Sequence, residues 1–322
     1  MTTKSLFRII AGLLLLALAG AHNAYAAWPE KTVRIVIPWP PGGSTDIIGR
    51  LLAAELTKRL KQQFIIDNRA GAGSIIGLQY ATQQPPDGYT VMMTSTAYGF
   101  LIDKPKVPVD IVNSFAPVAY VGMGDSAFTI HPALRVNTVK ELIDLAKKRP
   151  GELLYASSGI GGFPHMSTEL FKMMTKTNIT HVPFKGGGPA AVDTMAGHSQ
   201  IMFGSLPTVA SIIAGGRLKL LATGGKQRHP NYPNVPTVAE TVPGYESTIW
   251  FGVFAPKATP TDLIASVHAE INNALTSPEL LRRIAEQGAV TAKMSSAEFG
   301  KLMVAETNKW SEVIRAAGIK AE

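Results

Sequence analysis

Between Val33 and Arg50 the chain reads Val-Arg-Ile-Val-Ile-Pro-Trp-Pro-Pro-Gly-Gly-Ser-Thr-Asp-Ile-Ile-Gly-Arg, residue types that suit the holding of a small anion. Pro38, Pro40 and Pro41 fix the backbone and withdraw donors. Gly42 and Gly43 let main-chain N–H groups turn toward a guest, and Ser44 or Thr45 is placed to cap the helix that follows. A helix start carries roughly half a positive charge and unpaired N–H donors, so a carboxylate or phosphate can settle there without a cationic side chain. An ordinary strand–turn–helix junction uses the same residues, and this segment alone leaves both readings open.

Three further loops share the composition: residues 94–96, with Ser95 and Thr96; residues 157–162, with Ser157, Ser158, Gly159 and Gly161; and residues 185–188, with Lys185 and Gly186. Such linings supply neutral donors and few charges, which suits a carboxylate held by dipoles and bridging waters. His165, on the first turn of the next helix, could donate to a ligand or simply cap. Lys185 could neutralise a second carboxylate or stand in solvent. Trp39, between two prolines, either packs against the fold or stacks on a planar guest. Asp46 and Arg50, four apart, are expected to pair with each other.

Other chemistries fit less well. Residues 71–77 have one residue too many before the third glycine for a dinucleotide fingerprint, and no G-x-x-x-x-G-K-[ST] exists. Ser157 or Ser158 with His165 is the best pair for acyl transfer, but the serines lack a G-x-S-x-G elbow and no carboxylate can be assigned to orient the imidazole. The remaining histidines show no metal-type spacing, and no cofactor is implied. Without cysteine, thiol catalysis and disulfides are excluded.

Alternating elements position these loops. Val33, Ile35, Val36 and Ile37 form a buried-type strand, and Ile47, Ile48, Leu51, Leu52, Leu56 and Leu60 recur at helical spacing. The same grammar repeats from residue 153 to 222 and again near residues 250–255, with helices over most of the remainder. Strands alternating with helices argue for a parallel sheet covered on both faces. In such sheets ligands bind at the carboxyl ends of strands, where the four loops fall. The expected organisation is α/β with two doubly wound lobes around a ligand cleft: residues 27–126 and 250–322 in lobe 1, and residues 127–249 in lobe 2.

Lys4 and Arg8, an apolar stretch over residues 9–19 and Ala24-Tyr25-Ala26 have the layout of a secretory signal, so export with cleavage after Ala26 is expected. Removal of residues 1–26 takes two basic and no acidic residues, lowering the net charge from +8 to +6. Only 17% of residues are charged, and the basic ones are scattered among acidic ones, so no nucleic-acid surface is expected.

Several segments together, Trp28-Pro29-Glu30-Lys31, the 38–46 loop, Asn68-Arg69-Ala70-Gly71-Ala72-Gly73, Tyr155-Ala156-Ser157-Ser158-Gly159, His181-Val182-Pro183-Phe184-Lys185-Gly186 and Val235-Pro236-Thr237-Val238-Ala239-Glu240, resemble the periplasmic solute-binding receptors of tripartite tricarboxylate transporters, the Bug family. The resemblance spans essentially the whole mature chain. It implies a periplasmic binding protein of type II that closes on a small carboxylate and delivers it, as a monomer, to a two-component membrane permease. It places Pro40, Pro41, Gly42, Gly43, Ser44 and Thr45 with Ser157, Ser158, Gly159 and Gly161 at one carboxylate, and residues 94–96 and 185–187 nearby. Trp39 stands where the family often has another aromatic or a smaller residue. It tilts the expected ligand toward an aromatic dicarboxylate such as terephthalate, with an aliphatic di- or tricarboxylate as the alternative. An exported serine hydrolase and a sensor subunit are the competing classes.

Overall fold

The computed structural model describes residues 28–96, 109, 113–316 and 318. The expected leader lies outside the described residues. Strand β1 (Val33–Ile37) runs into helix α1 (Ser44–Leu60), then β2 (Phe64–Asn68), helix α2 (Ile75–Thr82) and β3 (Thr90–Ser95). A long strand β4 (Phe115–Ile130) leads to α3 (Val139–Lys148), β5 (Leu154–Ser157), α4 (Phe163–Thr175), β6 (Thr180–Pro183) and α5 (Gly187–Ala196). Then come β7 (Ile201–Ser205), α6 (Leu206–Ala214), β8 (Lys219–Thr223), β9 (Thr248–Pro256), α7 (Thr261–Ala274), α8 (Pro278–Glu286), β10 (Ala289–Val290) and α9 (Ser296–Ala316).

Strand β1 lies parallel between β2 and β3, while β9 pairs antiparallel with β3 and with β4. At the far end of β4 the partners change. Residues Phe115–Asp125 face β9, whereas Ser126–Ile130 lie antiparallel between β7 and β8, and β5 pairs parallel with β6 and β7. One strand therefore serves two sheets, and two lobes result around a cleft.

The alternation of strands and helices argues for a parallel sheet; β1, β2, β3 and β5, β6, β7 pair in that way, and β4 and β9 add antiparallel pairs. The apolar runs at residues 116–121 and 128–130 look separate because Gly122 and Gly124 interrupt them, yet they belong to one 16-residue strand. Ideal Cβ atoms at those glycines would meet the Val290 carbonyl at 2.5 Å and the Gly288 carbonyl at 3.2 Å. The glycines make room for β10, a two-residue strand that has no periodicity to announce it.

Burial explains the strands. Val33, Ile35, Val36 and Ile37 are all 1% exposed or less, as expected for a strand with helices on both faces. In the second lobe Phe128 stacks on Phe203 with centroids 3.7 Å apart, and Phe171 and Tyr245 meet Phe128 edge-on at 5.4 and 5.2 Å. Those rings fix α4 against the sheet and so fix where α4 begins.

Candidate ligand-binding cleft

Four helices begin at one gap. Gly43, Gly162, Gly186 and Ser205 are the N-caps of α1, α4, α5 and α6, and none of the four helix starts is capped by a side chain. The peripheral α3 and α8, by contrast, are capped by the Thr138 and Ser277 hydroxyls. At α1 the first intrahelical bond runs from the Ile47 N–H to the Gly43 carbonyl, so the N–H groups of Ser44, Thr45 and Asp46 have no acceptor within the helix. Glycine caps and prolines at Pro164 and Pro207 leave these ends bare by composition.

Between the two sides lies a gap of about 450 Å³ of atom-free space, the open solvent at its mouth included. Trp39, Pro40, Gly43, Ser44, Thr45 and Ser95 line one side. Ser158, Phe163, Pro164, Gly186, Gly187, Ser205 and Thr208 line the other, with Ile249 near the start of β9. Among the described residues no ionisable side chain forms its wall. Six hydroxyl side chains and the helix-start amides supply polarity; Trp39, Phe163, the two prolines and Ile249 supply apolar surface.

The two sides touch. An ideal Cβ on Gly186 would lie 2.8 Å from Pro40 Cγ, one on Gly187 would lie 3.9 Å from Gly43 Cα, and one on Gly188 would lie 3.5 Å from the Pro41 carbonyl oxygen. Glycine at these positions lets the two loops close on each other.

A hydrogen-bond cluster sets the first loop from behind. Asp46 accepts from the Gly42 N–H at 3.0 Å, from Arg50 at 3.0 Å and from Asn68 Nδ2 at 3.0 Å, and Asn68 also donates to the Trp39 carbonyl at 3.0 Å. Burial alone would raise the Asp46 carboxyl, but the hydrogen bonds from Arg50, Gly42 and Asn68 outweigh it and hold the group below its ordinary range. Asp46 and Arg50 thus pair as expected. The Trp39 indole N–H donates to Thr94 Oγ1 at 3.3 Å, which tethers the ring at the wall.

Eight of the sixteen residues singled out in the sequence line the cavity: Trp39, Pro40, Gly43, Ser44, Thr45, Ser95, Ser158 and Gly186. The others sit elsewhere. Pro41 and Gly42 are exposed on the outer side of the loop, and the Gly42 amide is already used by Asp46. Thr96 is buried and accepts from the Trp250 N–H at 2.9 Å. Lys185 is exposed and away from the wall. Ser157 is fully buried and His165 nearly so, and the half-buried Gly159 and Gly161 are not among the lining residues. Neither Ser44 nor Thr45 is the cap of α1, because Gly43 takes that place.

Nor do Ser157 and His165 pair: Ser157 Oγ lies 2.5 Å from Nε2 of His181, on the neighbouring strand. Phe163, Pro164, Ser205, Thr208 and Ile249 went unremarked as lining, while Gly187 falls in the 185–188 loop expected there. Ser205-Leu206-Pro207-Thr208 repeats the hydroxyl–proline grammar of the other loops and could have been found by that signal. Ile249 carries no local signal, since only the pairing of β9 with β4 brings it to the cleft.

A model of the tripartite tricarboxylate transporter family receptors matches residues 48–319. The chain belongs to this family. It is 33% identical to the protein BugT of Bordetella pertussis over 95% of this chain and 96% of that one. Its fold is similar to that of an R. palustris protein solved with adipate, with a TM-score of 0.88 and 34% identity over 91% of this chain and 99% of that chain. It also resembles MatC of Rhodopseudomonas palustris with bound malate, with a TM-score of 0.83 and 27% identity over 89% and 100% of the two chains. As a receptor of the tripartite tricarboxylate transporter family, the protein binds solute and is not an enzyme. No helix among the described residues is long and apolar enough to cross a membrane.

Proposed function

We propose that this receptor captures a small dicarboxylate in the gap between its lobes and presents the closed form to a tripartite-type membrane permease. The observation that carries the reading is the convergence of four helix starts without side-chain caps on a cavity whose wall, among the described residues, holds no cation. Neutral dipoles of that arrangement favour an anion and offer nothing to a cation. One helix start contributes about 0.3–2 kcal/mol to anion binding, whereas micromolar capture needs about 8 kcal/mol. Several starts acting together, the hydroxyls and the apolar walls must share the work.

The ligand touches both lobes at once, and that differential contact shifts the lobes toward the closed arrangement. We assign residues 27–126 and 250–322 to one lobe and 127–249 to the other, and place the mature start after Ala26. The protein is then exported and acts as a monomer in the periplasm.

For the ligand, an aromatic dicarboxylate such as terephthalate suits the Trp39, Phe163, Pro40 and Pro164 surfaces. An aliphatic dicarboxylate is the second reading, favoured by the adipate bound to the 34% identical neighbour. Calorimetry of the mature chain with terephthalate, adipate and benzoate decides between them. A diacid is expected to bind more tightly than the mono-acid benzoate. Equal affinities for terephthalate and benzoate would remove the second carboxylate from the account, and no heat with any of the three would remove the function.

A further inference from the structure

We propose that His181 is a positioning residue of the carboxylate site, and that together with His165 it holds the 158–161 loop in shape only while both imidazoles accept hydrogen bonds. The inference rests on the reading of the cleft as a carboxylate site. Strands β5 and β6 are parallel with Tyr155 opposite His181, and the two rings stack at 4.8 Å with an interplanar angle of 16°. His165, from the first turn of α4, lies against His181 at 4.4 Å.

Each imidazole serves one glycine amide of the loop. The Gly161 N–H donates to His165 Nδ1 at 3.3 Å. The Gly159 N–H donates to Ser157 Oγ at 3.1 Å, and that hydroxyl stands 2.5 Å from His181 Nε2. A hydroxyl has a single proton to give. Its oxygen receives the Gly159 amide and has a second lone pair; we assign the serine proton to a bare Nε2 at 2.5 Å, the nearer acceptor, rather than to the Gly159 carbonyl at 3.3 Å. Gly159 and Gly161 have φ of 107° and 75°, in the region where only glycine is at ease. Two such residues leave the loop little stiffness of its own, so these bonds set where Ser158 meets the cavity.

The charged groups around His181 are few. Glu169 and Lys172, both on α4, pair at 2.6 Å, and Glu169 also accepts from the Tyr155 hydroxyl at 2.6 Å. Lys172 Nζ lies 5.5 Å from the Tyr155 ring centroid, and Lys185, after β6, is exposed. Burial lowers the His181 pKa, Lys172 lowers it further and Glu169 opposes. A proton on Nε2 would replace the acceptor with a donor facing the serine hydroxyl. It would also set a cation against the His165 ring.

The test compares wild type, His181→Gln and His181→Phe. Glutamine keeps an acceptor that does not titrate; phenylalanine keeps a ring without one. Hydrogen exchange of the Gly159 amide, read by NMR on the ligand-free protein, is expected to be protected in wild type and His181→Gln and fast in His181→Phe. Loss of a buried hydrogen bond is expected to weaken terephthalate or adipate binding roughly 5- to 100-fold in His181→Phe near neutral pH. Below about pH 6.5 wild type should lose affinity more steeply than His181→Gln, which corrects for protonation of the diacid itself.

Unchanged Gly159 protection in His181→Phe, or parallel pH profiles for wild type and His181→Gln, would overturn the proposal. If wild type binds no diacid, the function fails, and the exchange measurement still decides the role of His181.

Discussion

Replacement of Gly186 by alanine tests whether the lobes must meet for capture. With the two sides in contact as they are here, the new Cβ would lie 2.8, 3.1 and 3.3 Å from Cγ, Cβ and Cδ of Pro40, where ordinary carbon contact begins near 3.4 Å. Pro40 is a rigid ring on the opposite lobe, in a loop already fixed through Asp46 and Asn68, so neither partner yields cheaply. Overpacking of this kind costs about 1–3 kcal/mol, which corresponds to affinity lowered roughly 5- to 150-fold. Gly186 also has φ 118° and ψ 164°, a glycine-only region that adds about 1–3 kcal/mol of strain. That strain is present with the lobes open or closed, so it lowers the melting temperature and leaves the binding difference to the contact with Pro40.

Calorimetry with a bound diacid reads the affinity, and small-angle scattering reads the closure that ligand induces. The double variant Pro40→Ala/Gly186→Ala loses the Cγ and Cδ overlaps and is expected to regain much of the affinity, a coupling that a double-mutant cycle isolates. Gly216→Ala serves as a control, because Gly216 has φ 68° and no atom near its Cβ position; it should lose stability and keep its affinity. Gly186→Ala with wild-type affinity, or with a loss that Pro40→Ala does not relieve, would refute the reasoning.

Ser44→Ala and Ser158→Ala are each expected to weaken diacid binding while the melting temperature of the empty protein stays nearly constant, and unaltered affinity in both would count against the cradle. Asp125 is a half-buried carboxylate beside Glu246, and burial first, then Glu246, raises its pKa from 3.8 to about 6. The folded state therefore binds the extra proton between those values, and its ionisation destabilises the fold above about pH 6 by up to ~3 kcal/mol. Asp125→Asn should raise the melting temperature at neutral pH and change it little below pH 3.8; a uniform shift at both pH values would contradict this. Asp46 has the opposite sign. Its carboxyl is held below 3.8, so its contribution is complete above that value and fades as pH falls through the lower folded one. Asp46→Ala should cost about 1–3 kcal/mol at neutral pH in chemical denaturation, with the gap to wild type closing in acid.

Local grammar carried much of this molecule. The apolar spacing from Ile48 to Leu60 and the Pro/Gly/Ser runs marked α1, α4 and α5 within a residue or two, because those elements follow from burial on one face and from breakers at their ends. What the local pattern missed depends on contacts distant in sequence. The single strand β4 is legible only once β9 and β10 are known to flank it. Ser157 is expected at the ligand because it lies in the right loop, but it is the last residue of β5 and its side chain faces one side of the sheet only. Ser157 turns inward to His181, and Ser158 takes the wall. Ser205 and Thr208 repeat a signal already recognised in four other loops, whereas Ile249 reaches the cleft only through the pairing of β9 with β4.

The central claim, that main-chain dipoles at helix starts grip the ligand, is tested most directly by a crystal structure of the mature chain with terephthalate or adipate. The account predicts a carboxylate in the gap, directly or through one water on the first-turn N–H groups of α1 and at least one of α4, α5 and α6. No Lys or Arg side chain should lie within ion-pair reach of it. A diacid seated on a lysine or arginine, or bound outside the gap, would contradict it.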